Sequence, residues 1–195
     1  LIGTQMLAKG HDFPRLTLVG VINADGAMFS ADFRAGERLA AQLMQVAGRA
    51  GRAALPGRVL IQTRLARHPL YAAVAAQDHA QFAAMAMAER KMAQLPPYSY
   101  LALLRAEARS ATELDRFMAH ASTVARDVPH EHGVQVWDPV PATLARKAGF
   151  ERRQLMMQAD SRAALQRFLT AWLPRVAANA SRAVKWIIDV DPLEL

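Results

Sequence analysis

From Leu16 to Ala24 the chain runs LTLVGVINA, a continuous apolar stretch bounded by Pro14 and Asp25. That pattern predicts a strand buried on both faces of a parallel sheet. Ahead of it, Leu1 to Thr4 reads as the end of a strand and Gln5 to Phe13 (QMLAKGHDF) as a charged strand-to-helix turn. Asp25 to Phe33 reads as a loop. From Glu37 to Ala47 the apolar residues Leu39, Leu43 and Val46 recur at helical spacing, which predicts an amphipathic helix. Gly57 to Thr63 (GRVLIQT) reads as a further short strand. Strand, turn, strand, helix, strand is the rhythm of an α/β layer with crossovers.

Residues 69 to 94 are an alanine-rich helical stretch that begins after His68-Pro69 and stops at Pro96-Pro97, since proline opens a helix well and cannot continue one. The double proline is the predicted domain boundary, giving segments 1–67, 68–97 (a helical linker) and 98–195. In the last segment Ser99 to Ala108 reads as a strand, Thr112 to Arg126 as a helix and Val134 to Pro139 as a strand. Arg152 to Ala159 reads as a strand, Ser161 to Val176 as a helix and Val184 to Val190 as a closing strand. The order β-α-β-β-α-β matches the split βαβ, or ferredoxin-like, plan.

Composition adds a partner class. With 195 residues and 52% apolar content the chain is long enough to bury a core. Its net charge of +7 and pI near 10.5 favour a polyanionic partner. The surplus is uneven: Arg34 to Arg67 holds seven arginines and one acid, Glu37. The absence of cysteine excludes disulfides and thiolate zinc sites from these residues. No apolar run is long enough to span a bilayer and no leader pattern is present, so the chain reads as soluble and unexported, with no membrane partner. Leu1 opens directly on strand-like sequence, and the chain is expected to be the C-terminal part of something longer.

The densest chemistry lies at Gln45 to Arg52, QVAGRAGR. On a continuing helix Gln45, Arg49 and Arg52 fall at i, i+4 and i+7, so an amide and two guanidiniums share one face. Gly48 and Gly51 interleave them, suiting a backbone that approaches another molecule closely. Two planar, permanently charged forks on one edge suit a phosphate chain. The same residues also fit a solvated arginine face.

GTQMLAKGHDFP at Gly3 to Pro14 and QVAGRAGR, separated by one strand and a loop, resemble motifs V and VI of superfamily 2 helicases. DGAMFSADFRAGER at Asp25 to Arg38, LPPYSYLALLRAEA at Leu95 to Ala108 and the terminal WIIDVDPLEL narrow the resemblance to the PriA (primosomal protein N′) family of bacterial replication-restart DNA helicases. GFERRQLMMQ at Gly149 to Gln158 fits that pattern only loosely. The resemblance covers nearly the whole chain. It implies the end of a RecA-like helicase lobe 2 followed by the family's α+β C-terminal domain. The P-loop, the DEAH-type acid and a cysteine-rich zinc region would lie upstream, so Zn²⁺ is expected only there and this chain alone is expected to be inactive.

The resemblance also implies roles. Arg52 would be the arginine finger on the γ-phosphate of Mg²⁺-ATP, with Arg49 beside it and Gln45 placing the triphosphate or the attacking water. Gly10 would let the backbone pass close to the nucleotide, and Asp12 would hold the ribose or orient the finger. Thr4 and Lys9 would contact DNA phosphates. Without the motif, Thr4 reads as a helix cap and Asp12 as a turn residue. In the last segment Arg146, Lys147, Arg152 and Arg153 form a basic cluster with Glu151, either a solvated hairpin or a sequence-independent contact with fork phosphates. Arg162 and Gln166 match family positions that help to hold the acidic C-terminal tail of single-stranded DNA-binding protein.

Other candidates read as structural. Asp32 and Arg34 are expected to pair and fix their loop, with contact to DNA as the alternative, Arg38 to be a solvated helix residue, and Met85, Met87 and Met92 to pack. His11 reads as a DNA contact or a turn residue, without partners at metal-ligand spacing, and His130, Glu131 and His132 read as a polar loop without chemistry. The expected protein is a 3′ to 5′ DNA helicase of the bacterial cytoplasm and nucleoid, with forked and single-stranded DNA and other primosome proteins as partners. The alternatives are another superfamily 2 motor of RecG type and a non-enzymatic DNA- or protein-binding adaptor.

Overall fold

A computed structural model describes residues 16–30, 32–48, 50, 57–128 and 133–195. It holds seven strands and five α-helices among them, in two compact units that divide between Glu89 and Arg90. The sequence points to Pro96-Pro97 as the boundary; the units divide earlier, inside a helix.

In the first unit β1 (Leu18–Val21) and β2 (Arg58–Ile61) pair in parallel, Leu18 opposite Arg58 and Val21 opposite Ile61. Helix α1 (Ala35–Ala47) lies between them in sequence, as a parallel pair requires a crossover. Val21 and Ile61 pack against Leu39, Ala40, Leu43, Leu70 and Val74. The opposite sheet face is open: Leu18 is 56% and Leu60 54% exposed. The expected burial on both faces is therefore not met among the described residues, because only one face is covered by α1.

The alanine-rich stretch is two helices, α2 (Pro69–Ala76) and α3 (His79–Met92). His68 Nδ1 accepts the Leu70 N–H at 3.2 Å to cap α2, with Pro69 in the first turn where its missing N–H costs nothing. Gln77 then takes a left-handed conformation, φ 52°, and the Asp78 carboxylate accepts the Gln81 N–H at 2.8 Å to restart the chain as α3. Leu70, Tyr71, Ala73 and Val74 of α2 are buried, so α2 belongs to the core of the first unit.

The second unit is a five-stranded antiparallel sheet. Strands β4 (Val134–Val136), β6 (Phe150–Ala159), β3 (Tyr100–Ala108) and β7 (Lys185–Val190) lie in that order, and β5 (Val140–Lys147) also pairs with β6. Ser110 caps α4 (Ala111–Asp127) through its hydroxyl oxygen, and Ser161 caps α5 (Arg162–Ala178) in the same way. Alternate residues of β3 (Ala102, Leu104, Ala106, Ala108) join Leu155 and Met157 of β6 and the apolar faces of α4 and α5 in one core. Trp172 sits at its centre, fully buried. Its Nε1–H donates to the Ala121 carbonyl at 3.0 Å, tying α5 to α4, and its ring stacks on Phe168.

Strand β5 is absent from the sequence expectation, and β6 begins at Phe150, ahead of the expected Arg152. The two close a hairpin through Ala148 and Gly149, with Lys147 opposite Phe150. Both turn residues have positive φ, 50° and 80°, the combination a type I′ hairpin turn requires.

Candidate nucleotide and nucleic-acid interface

Helix α1 buries Leu39, Ala40 and Leu43 against β1, β2 and α2 and leaves Gln45 exposed in its last turn. Gly48 caps it with φ −68°, an ordinary helical value, its N–H donating to the Met44 carbonyl at 3.0 Å. A Cβ at Gly48 would meet only the carbonyl oxygens of Gln45 and Met44, each at 3.6 Å. Neither backbone conformation nor local packing among the described residues thus demands glycine there. Arg49 and Arg52, with Thr4, Lys9, Gly10, His11 and Asp12, lie outside the described residues, as do His130, Glu131 and His132.

The other end of α1 is held by Asp32, which is buried. Its carboxylate accepts the Arg34 backbone N–H at 2.8 Å and forms an ion pair with the Arg38 guanidinium. Its carbonyl accepts the Ala35 N–H at 2.9 Å. The loop is fixed as expected, but by a different partner: the ion pair is with Arg38, in the first turn of the helix, whereas the Arg34 guanidinium lies 4.3 Å from the Phe33 ring centroid.

Sequence reasoning missed Asp25. This carboxylate follows β1 in a 3-10 turn (Ala24–Ala27) and is buried. It accepts three hydrogen bonds: from the Thr63 hydroxyl at 2.5 Å, the Arg64 backbone N–H at 2.6 Å and the Tyr71 hydroxyl at 2.6 Å. One side chain thereby ties the carboxyl ends of β1 and β2 to α2. The Thr63 hydroxyl foremost, then Tyr71 and the Arg64 amide, hold the Asp25 carboxyl below its ordinary range, while burial and then the Asp25 hydrogen bond push the Tyr71 phenol up. The visible signal was an acid immediately after an apolar run, which also fits a turn.

In the second unit the basic cluster is interleaved with acids from neighbouring elements. Arg146 lies 3.5 Å from Glu151, and Arg153 lies 3.1 Å from Asp115 of α4 and 3.9 Å from Glu151. Arg152 approaches Glu107 of β3 at 4.0 Å. Lys147 is exposed beside the hairpin turn. A cavity of about 330 Å³ opens beside them, lined among others by Arg105, Glu107, Arg152 and Lys185. Arg162 and Gln166 are exposed on the first two turns of α5. The Arg162 guanidinium lies 3.4 Å from Asp191 and 5.6 Å from the Tyr100 ring centroid. No cluster of three or more metal-ligating side chains occurs among the described residues, and no described helix is long and apolar enough to cross a membrane.

Residues 91–193 match the family model described as the primosomal protein N C-terminal domain. The chain belongs to this family. The match begins one residue after the start of the second compact unit and takes in its whole sheet. Over its full length the chain is 42% identical to the replication restart protein PriA of Haemophilus influenzae, of which it covers 26%. It is 37% identical to that of Synechocystis, covering 23%, and 38% identical to that of Treponema pallidum, covering 29%, again with all of this chain aligned. The chain therefore spans about a quarter of the length of these PriA relatives.

Proposed function

We propose that this chain is the C-terminal part of an ATP-dependent 3′ to 5′ superfamily 2 DNA helicase that acts at stalled forks in replication restart and primosome assembly. In this reading the first unit is the end of a RecA-like lobe 2, supported by parallel β1 and β2 with α1 as their crossover. The second is a split βαβ, ferredoxin-like domain, supported by the antiparallel order β4-β6-β3-β7, with β5 added as a hairpin partner of β6.

The observation that carries the motor reading is the end of α1. Gln45 is exposed there, and Gly48 is a glycine that its own surroundings do not require. A residue without a side chain next to an exposed amide suits close approach of another molecule, and the guanidiniums of Arg49 and Arg52, which follow in the sequence, suit its phosphates. Arg52 then stabilises charge on the γ-phosphate with Arg49 beside it, Gln45 orients the triphosphate or water, and Gly10 and Asp12 complete the nucleotide contact. Mg²⁺ comes with the ATP, and Zn²⁺ belongs to the upstream region of the parent. Thr4 and Lys9 contact single-stranded DNA. Arg146, Arg152 and Arg153 contact fork phosphates after exchanging their carboxylate partners for DNA, and Lys147 contacts them beside the turn. Arg162 and Gln166 hold the acidic tail of single-stranded DNA-binding protein, and the setting is the bacterial cytoplasm.

The test is DNA-stimulated ATPase of the longer parent protein with Gln45→Ala. The expected outcome is a fall in kcat of about a hundredfold, the loss typical of one polar group at a charged transition state, with fork affinity and melting unchanged. An unchanged kcat would remove the nucleotide from this helix end and favour the adaptor reading.

A further inference from the structure

We propose that Asp191 is an internal competitor at the Arg162 and Gln166 site: its carboxylate holds the arginine that an acidic partner has to capture, and so sets how much negative charge that partner must bring. The inference rests on the reading of Arg162 and Gln166 as the seat of an acidic tail, and it names a further residue that governs that seat. The Arg162 guanidinium lies 3.4 Å from the Asp191 carboxylate, with the two side chains 69% and 49% exposed. It also lies 5.6 Å from the Tyr100 ring centroid. Gln166 follows one turn along α5, on the same helix face as Arg162. The arginine thus already carries a carboxylate, the group an acidic tail would present.

The backbone places Asp191 there. It follows β7 in the left-handed region, φ 54°, a conformation that aspartate and asparagine tolerate better than most residues. Its N–H donates to the Leu101 carbonyl at 2.9 Å, and Pro192 after it is buried. Further along, the Arg105 guanidinium donates to the Glu194 carbonyl and the Thr143 hydroxyl to the Leu195 carbonyl at 3.1 Å. The segment after β7 is therefore fastened to β3 and β5, and Asp191 keeps its place when a partner arrives. Arg162 is the group that moves, because its long side chain is mostly in solvent. An incoming carboxylate has to replace Asp191 on the guanidinium and then sits beside a fixed negative charge. Both effects oppose an acidic ligand, and a neutral one does not feel the repulsion. An exposed pair is weak, so Asp191 acts as a partial brake that a tail with several acids overcomes, a repulsive element of the kind that sets specificity.

The test is fluorescence anisotropy of a labelled peptide copying the acidic C-terminal tail of single-stranded DNA-binding protein, titrated with the longer parent protein. Asp191→Asn removes the charge and keeps a residue suited to the left-handed position, and Asp191→Gly removes it without adding an amide. Each should bind the peptide about threefold to fivefold more tightly than wild type at low salt, the size of an exposed ion pair. The advantage should shrink as salt rises. Arg162→Ala should weaken the peptide, and in that background most of the gain from Asp191→Asn should vanish. Peptide binding that is unaffected by Arg162→Ala would remove the acidic-tail reading, and the proposal with it. Binding that depends on Arg162 but is unchanged or weakened by Asp191→Asn would leave that reading in place and overturn the competitor. A gain in the Asn variant that the Gly variant lacks would trace to the new amide and would overturn it as well.

Discussion

Truncating Trp172 should unlock the second unit selectively. Its side chain is fully buried, stacks on Phe168 with ring centroids 5.8 Å apart and donates to the Ala121 carbonyl of α4 at 3.0 Å. Trp172→Ala removes the indole from a close-packed site that cannot fully collapse, a loss of about 3–5 kcal/mol. Trp172→Phe keeps most of the apolar burial and loses the hydrogen bond and part of the volume, about 1–2 kcal/mol. For a urea m-value of about 1.5 kcal/mol/M, the unfolding midpoint then falls by about 2–3 M for alanine and about 1 M for phenylalanine. The assay is tryptophan fluorescence during urea unfolding. The three tryptophans, Trp137, Trp172 and Trp186, all lie after Arg90, so the signal reports the second unit alone and two of them survive in each variant. A midpoint for Trp172→Ala within about 0.3 M of the parent, or a Phe variant as damaged as the Ala variant, would refute the assignment of this ring as the helix-to-helix anchor.

Asp25 predicts an acid-labile first unit. Because its folded carboxyl lies below the ordinary value of 3.8, its contribution is complete above the unfolded pKa and is lost as pH falls through the folded one. Helical circular dichroism in urea should show a midpoint that drops below about pH 4, with the drop reduced by Asp25→Asn; equal pH profiles for the two chains would contradict this. Ala148 occupies a left-handed position in the β5–β6 turn, so Ala148→Gly should stabilise the second unit by about 1 kcal/mol, read as a higher urea midpoint by tryptophan fluorescence. A lower midpoint would show that the turn is not strained.

Much of the element order was legible because burial writes a clear period into the chain. Leu39 and Leu43 mark the buried stripe of α1, and the alternate residues of β3 that reach the core are all apolar. Strand β5 left no such trace. Nearly all of VPATLARK is exposed, so neither face demanded apolar residues, and Pro139 and Pro141 imitate loop punctuation. The break at Gln77 and Asp78 was hidden inside an alanine-rich stretch, since only a left-handed backbone at Gln77 and a capping Asp78 separate α2 from α3. The Asp25 node could not be read because Thr63 and Tyr71 are 38 and 46 residues away, and a single acid after a strand carries no mark of distant donors. The charge cluster at Arg152 and Arg153 shows the same limit, because Glu107 and Asp115 reach it only through sheet and helix packing.

The account rests most heavily on the helix end that presents Gln45 and on Arg49 and Arg52, which follow it in the sequence. Steady-state, DNA-stimulated ATP hydrolysis by the longer parent protein with Arg52→Ala, measured beside fork binding by the same variant, tests it most directly. The prediction is a loss of about 10³-fold or more in kcat, as for an arginine that stabilises the transferring phosphoryl group, with fork affinity retained. Hydrolysis at the wild-type rate would mean that QVAGRAGR is not at the nucleotide, and the motor reading of this chain would fall.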